Sequence, residues 1–246
     1  MVRSELEITT RDGVQPAWAA HPDGAGPWPG VVMFHDGFGV RETSIAMAER
    51  LASHGFFVLL PDLFYRLAPA PPFDPKVVFG GDPAQLEPLI NRVEAVGEQG
   101  PMADFARYLE LLDAEPRVRG PMVGCVGYCM GGGLAMRAAC TFPDRVAAAA
   151  SIHGGRFVTD PSAPDEIAAK LRAHVHIAVA EIDRRHTAEI SRRLEAALVR
   201  AGVPHSVELY PGSAHGFACD DLPVYDRTAA ERHWARIVPL LHGALA

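Results

Sequence analysis

The sequence predicts an α/β fold, a doubly wound and mostly parallel sheet with helices on both faces. Three observations carry that expectation. Short apolar runs alternate with helical segments over most of the 246 residues. Those runs are continuous rather than alternating, as strands covered on both faces require. One strand-turn-helix junction, Gly124 to Gly133, holds a cysteine between two glycines.

The elements follow in order. Leu6 to Thr10 and Gln15 to Ala20 read as strands joined at Arg11-Asp12-Gly13, where Asp-Gly favours a hairpin. Gly30 to His35 is an apolar strand, Ser44 to His54 an amphipathic helix, and Phe56 to Leu60 a strand ended by Pro61. Leu67 to Pro88 is Pro-rich with little regular pattern, which predicts a lid-like segment, and its Phe73, Val77, Val78 and Phe79 predict that it packs. Ala103 to Leu112 is a helix, Pro121 to Tyr128 a strand and Met130 to Cys140 a helix. Strands at Val146 to Ile152, Val175 to Ala180 and His205 to Tyr210 then alternate with a helix at Ala188 to Ala201, and Arg227 to Leu241 closes the chain as an amphipathic helix. There is no internal repeat.

Length and a hydrophobic content of 48% fit one domain over residues 1–246. A formal net charge of −7, with no Lys/Arg cluster longer than a pair, argues against a nucleic-acid partner. Acidic residues in Met1 to Glu7 stand where a signal peptide needs an apolar core, and no run is long enough for a membrane span. A soluble, cytoplasmic monomer or homodimer is expected. The four cysteines, at 125, 129, 140 and 219, match no zinc spacing, so neither metal nor cofactor is expected. Cys125 and Cys140 read as core residues.

Gly127-Tyr128-Cys129-Met130-Gly131 has the form of a nucleophile elbow. The sharp turn strains the backbone at its tip, and side chains two positions to either side would collide, hence the glycines. The backbone N–H of Met130 then faces an oxyanion, and the start of the helix biases Cys129 toward thiolate. An inert core cysteine in a Gly-rich turn is the competing reading.

A cysteine nucleophile needs a base, and the base an orienting acid. Strand-end loops offer Asp183 after Val175 to Ala180, with Glu181 as its rival, and His215 after His205 to Tyr210. His153 and His186 also lie in such loops, but only His215 completes the order nucleophile, acid, histidine. The loop His35 to Val40 offers Gly37 as a second oxyanion donor. Asp36 stands beside it, where a carboxylate would repel developing charge unless turned away or protonated.

Gly30-Val31-Val32-Met33-Phe34-His35-Asp36-Gly37-Phe38-Gly39-Val40, Leu60-Pro61-Asp62-Leu63-Phe64-Tyr65-Arg66, Gly127-Tyr128-Cys129-Met130-Gly131-Gly132 and Tyr210-Pro211-Gly212-Ser213-Ala214-His215-Gly216-Phe217 together resemble the dienelactone hydrolase family of α/β hydrolases. The resemblance spans nearly the whole chain. It implies an α/β-hydrolase fold, Cys129 as nucleophile, His215 as base, Asp183 as acid, and Met130 and Gly37 as the oxyanion hole. It also implies that Asp36, usually Glu in the family, is a thiol-activating carboxylate that takes the thiol proton in the resting enzyme. An arginine that holds the substrate carboxylate in the best-known members is replaced here by Cys219, and Arg66 is a candidate substitute cation. Phe38, Phe73, Phe79, His153 and Phe217 are candidate pocket walls.

The function expected is cofactor-free hydrolysis of a small-molecule lactone or activated ester. The alternative is a non-catalytic or redox-responsive protein that uses Cys129 as a sensitive thiol.

Overall fold

The computed structural model describes residues 1–155, 163–184 and 186–246. Eight strands form one sheet in the spatial order β1-β2-β4-β3-β5-β6-β7-β8. β1 (Val2–Thr10) and β2 (Gly13–His21) form the hairpin expected around Asp12-Gly13, and β2 runs antiparallel to β4 (Phe57–Pro61). β3 (Trp28–Phe34), β4, β5 (Val118–Tyr128), β6 (Val146–Ile152), β7 (His174–Ile182) and β8 (His205–Ala214) are parallel to one another. The crossover between β4 and β3 puts β3 beside β5, so the loops after these two strands lie next to each other at the carboxyl end of the sheet.

Alternation along the strands divides the core into two layers. Val32 and Phe34 point to one face, where Phe105, Leu109 and Leu112 of α4 (Gln99–Ala114), Leu134 and Ala138 of α5 (Met130–Thr141), and Leu194 and Leu198 of α7 (Ala188–Ala201) cover them. Val31 and Met33 point to the other, against Ala48 and Leu51 of α1 (Glu42–Ser53) and Trp234, Ile237 and Leu241 of α8 (Arg227–Ala244). The doubly wound α/β sheet expected from the continuous apolar runs is therefore present, with helices on both faces.

The segment from Leu67 to Pro88 differs from its expected irregularity. It contains α2 (Pro75–Phe79) and the start of α3 (Pro83–Val96). Both helices begin with Asp-Pro: Asp74 accepts from the Lys76 N–H at 2.8 Å and Asp82 from the Ala84 N–H at 2.9 Å, each with proline in the first helical position. Proline there has no N–H to lose and a favourable φ, so prolines that read as breakers are start signals. Of the four residues expected to pack, Val78 is buried, while Phe79 stays more than a third exposed. The short α6 (Ala163–Lys170) was also not anticipated.

Among the described glycines, those of the elbow, Gly127 and Gly131, have the least room for a side chain against neighbouring backbone. A methyl group on Gly127 would stand 1.9 Å from the carbonyl oxygen of Gly131, and one on Gly131 would stand 2.4 Å from that of Phe34 in β3. Both obstacles are backbone, which cannot rotate away. We therefore expect Gly127→Ala and Gly131→Ala each to cost about 3 kcal/mol or more, lowering the melting temperature by roughly 6–12 °C for a chain of this size. Gly243→Ala, with open space around its added methyl group, should leave it unchanged or slightly raised. Thermal unfolding followed by circular dichroism checks the contrast.

Candidate active site

β5 delivers Cys129 into the turn at φ 56° and ψ −117°, a conformation that L side chains rarely adopt. Such a residue costs on the order of 1–3 kcal/mol and persists only where its surroundings hold it. Here the Cys129 N–H donates to the Ile152 carbonyl at 3.1 Å, and its carbonyl accepts from the Gly132 N–H at 3.1 Å. The side chain is half-buried.

Two loops bring partners to it. His215 follows β8 in a loop pinned by its own N–H to the Ile182 carbonyl (3.2 Å), by the Ser213 hydroxyl to Asp226 (3.0 Å) and by the Asp226 N–H to the Phe217 carbonyl (3.0 Å). Its Nε2 lies 3.0 Å from Cys129 Sγ, and its Nδ1 lies 2.6 Å from Oδ2 of Asp183, just past the end of β7. Glu181, the rival acid, is exposed and accepts the Gly212 N–H at 2.8 Å. His186 turns to the Gly154 carbonyl at 2.8 Å. Cys129, His215 and Asp183 are thus brought together in the order the sequence reading expects.

The electrostatics of this trio favour charge separation. Burial by itself would push the Cys129 thiol up, but the His215 charge and hydrogen bond outweigh it and, helped by the Met130 N–H, leave the thiol below its usual range; Asp36 acts upward. His215 responds in the opposite sense. Burial lowers it, yet the charge of Cys129 and the hydrogen bond that Nδ1 donates to Asp183 raise it to about 10. A proton shared between sulfur and imidazole therefore favours the imidazole.

The loop after β3 is held from inside. His35 Nε2 accepts the Leu63 N–H at 2.9 Å, which leaves Nδ1 to donate to the Asp36 carbonyl at 2.7 Å. Gly37 is buried, and a methyl group added to it would meet Val93 of α3 at 2.9 Å. Asp36 departs from its expected contact. Its Oδ1 accepts from Arg41 at 2.7 Å and from the Phe38 N–H at 2.9 Å, and its Oδ2 accepts from Arg41 at 2.9 Å and from the Cys219 thiol at 3.4 Å. No hydrogen bond joins Asp36 to Cys129, because both oxygens are committed to the guanidinium fork of Arg41, the cap residue just before α1.

Arg41 itself was not anticipated. It also bridges to Asp221, with contacts of 2.5 and 3.0 Å, and its guanidinium lies 5.5 Å from the centre of the Phe38 ring. The spacing of Asp36 and Arg41 within one loop is visible in the sequence, but Asp221 lies 180 residues away, and only the fold brings it close.

Arg66 is corrected as a spare cation. Its guanidinium forms two 2.6 Å bonds to the buried Asp104 and one of 2.8 Å to Asp12. A fork already filled by two carboxylates has no charge left over for a third. Cys219 is buried, and burial, followed by the nearby Asp36, pushes its thiol well up.

The expected pocket walls divide into two groups. Phe38 stacks on Phe79 of α2 with ring centres 6.3 Å apart, and Phe79 reaches to Gly216, beside His215. Phe217 is fully buried, stacked on Tyr210 at 4.9 Å, so it backs the site rather than lining an opening. His153, at φ 40°, packs edge-on against both His215 and Phe217 at 5.2 Å. Burial, then the His215 charge, keeps His153 well below its usual range. A cavity of about 280 Å³ opens between Val93 and Val96 of α3 and Met130, Gly133 and Leu134 of α5. Glu98, in its lining, pairs with Arg137 at 2.7 Å.

Among the described residues no cluster of His, Cys, Asp and Glu is arranged to hold a metal ion, and no helix is long and apolar enough to cross a membrane. All four cysteines are free thiols.

Comparison with known proteins agrees with this architecture. A protein of Methylorubrum extorquens named "Putative carboxymethylenebutenolidase" is 29% identical over 246 aligned residues, covering 96% of this chain and 79% of the relative. A Synechocystis protein of the same name is 27% identical, covering 93% and 91%. The fold is shared with a crystal structure described as a "Putative Dienelactone Hydrolase" of Klebsiella pneumoniae, with a TM-score of 0.83, 23% identity and 98% of each chain covered. The sequence profile of the dienelactone hydrolase family matches residues 16–245, and the chain belongs to that family of α/β hydrolases.

Proposed function

We propose that the protein is a cofactor-free hydrolase of lactones or small activated esters, acting through Cys129, His215 and Asp183. The observation that carries this reading is the continuous chain of contacts, 2.6 Å from Asp183 to His215 and 3.0 Å from His215 to Cys129, with the sulfur at the tip of a strained elbow. The names of the relatives, carboxymethylenebutenolidases, support the same reaction class.

In this reading the Cys129 thiolate attacks the ester carbonyl, and the carbonyl π electrons move onto oxygen. The N–H groups of Met130, at the start of α5, and Gly37, in the loop after β3, donate to that oxyanion. Collapse of the tetrahedral intermediate expels the alkoxide or enolate, which takes a proton from Nε2 of His215, and a thioester remains on Cys129. Neutral His215 next removes a proton from water as it attacks the thioester. The second intermediate releases the acid and returns the thiolate facing an imidazolium.

A thiolate is a better leaving group than an alkoxide, so the first intermediate partitions backward unless the substrate's own leaving group is activated. Enol lactones and aryl esters satisfy this condition. The stacked Phe38 and Phe79 beside Gly216 offer such planar groups an aromatic surface. The cavity beside Met130, lined by Val93, Val96 and Leu134 together with Glu98, has room for a small substituent of the substrate.

Replacing Cys129 by Ala should reduce turnover of 4-nitrophenyl acetate at least 1000-fold, about the loss expected for removal of a nucleophile. Retention of more than a few per cent would rule the mechanism out. The pH dependence follows from the pair. Activity rises as Cys129 becomes thiolate, below its ordinary range, and falls near pH 10 as His215 loses the proton it must give to the leaving group. Because Asp183 raises His215, Asp183→Asn should move the alkaline limb of kcat/KM to lower pH.

Arg41 and Arg66 are both spent on carboxylates. Neutral aryl esters should therefore be hydrolysed with kcat/KM at least equal to that of analogues bearing a free carboxylate. A tenfold or greater preference for the carboxylate would show that a cation serves the substrate.

A further inference from the structure

The contacts of Asp36 bear on when the thiolate forms. A carboxylate facing Cys129 would hold the thiol proton and oppose ionisation, since like charges at short range disfavour the second negative form. In this molecule the carboxylate is bound on every side. Arg41 grips both oxygens at 2.7 and 2.9 Å, the Phe38 N–H adds a third bond at 2.9 Å, and the buried Cys219 thiol adds a fourth at 3.4 Å. Arg41 is in turn fixed by Asp221 and by the Phe38 ring, and its backbone N–H donates to Ser44 at 2.9 Å in the first turn of α1. The fork is rigid at both ends. The remaining groups around the sulfur are His215, backed by Asp183, the neutral His153 packed on His215, and the Met130 N–H.

We propose that Arg41 is a positioning residue that acts on Cys129 through Asp36: by holding that carboxylate it leaves the thiol proton to His215, so the thiolate–imidazolium pair stands before any substrate arrives. The proposal rests on Cys129 being the nucleophile. Proton transfer runs from Sγ to Nε2, across the 3.0 Å contact already made, and needs no other reactant. The guanidinium also neutralises the Asp36 charge that would otherwise oppose both the thiolate and the oxyanion at Gly37, one residue away. No displacement by a substrate carboxylate is needed to start the reaction, which fits the absence of an arginine at position 219.

The substrate-free protein tests this directly. The ultraviolet difference spectrum between wild type and Cys129→Ser at neutral pH should show one thiolate per chain, and a spectrum without it overturns the proposal whatever the variants do. Iodoacetamide alkylation of Cys129, followed across pH by peptide mass spectrometry, then isolates Arg41. Arg41→Gln should raise the half-point of the profile by about one pH unit or more, and the double variant Arg41→Gln with Asp36→Asn should bring it back to the wild-type value. A half-point unmoved by Arg41→Gln overturns the proposal, and so does a double variant that stays raised, which would mean that Arg41 supports the loop rather than restraining a charge. Ester turnover on the same samples separates the two readings. A thiolate without turnover of any ester removes the hydrolase function and leaves this proposal standing. Turnover lost in Cys129→Ala, with no thiolate at rest, does the reverse.

Discussion

The close approach of backbone to backbone at the elbow is the constraint on which the site depends. Gly127 and Gly131 leave no room for a methyl group between the end of β5, the first turn of α5 and the adjacent β3. That contact fixes the angle at which α5 leaves the sheet, and with it the direction of the Met130 N–H. It also forces Cys129 into its positive φ, so that the sulfur stands clear of the helix where His215 reaches it. Strain at a single residue is sustainable because ten of the twelve α5 residues are buried and anchor the turn from below.

Charge around the sulfur is arranged in two compartments. On one side Cys129, His215 and Asp183 form a hydrogen-bonded chain in which the contact between sulfur and imidazole raises the imidazole and lowers the thiol. On the other, Asp36, Arg41 and Asp221 form a network whose members satisfy one another at 2.5 to 3.0 Å. Paired charges of this kind add little to stability, because desolvation offsets most of the attraction. Their value lies in deciding where a carboxylate points.

What was legible in the sequence is what local chemistry dictates. Continuous apolar runs identified the parallel strands, and the spacing of Gly127, Cys129 and Gly131, with Asp183 and His215 following in order, marked the trio that the fold assembles. The helices within residues 67–96 were missed because proline and aspartate signal both turns and helix starts, and only the caps at Asp74 and Asp82 separate the two. The engagement of Asp36 and Arg66 was not legible for a different reason. A charged side chain chooses its partner by three-dimensional proximity, and Asp221 and Asp104 lie far along the chain from the arginines they bind.

The contact between Gly37 and Val93 joins two parts of the molecule that would otherwise change independently. α3 lines the cavity beside Met130 through Val93 and Val96, so a substitution along it changes the space open to a substrate. Yet its Val93 would lie 2.9 Å from any side chain placed on Gly37 and so sits directly on the loop that carries the proposed oxyanion donor. A substitution in α3 that tilts the helix to admit a larger substrate also shifts that loop. The space open to a substrate and the position of the proposed oxyanion donor are thereby coupled through residue 93.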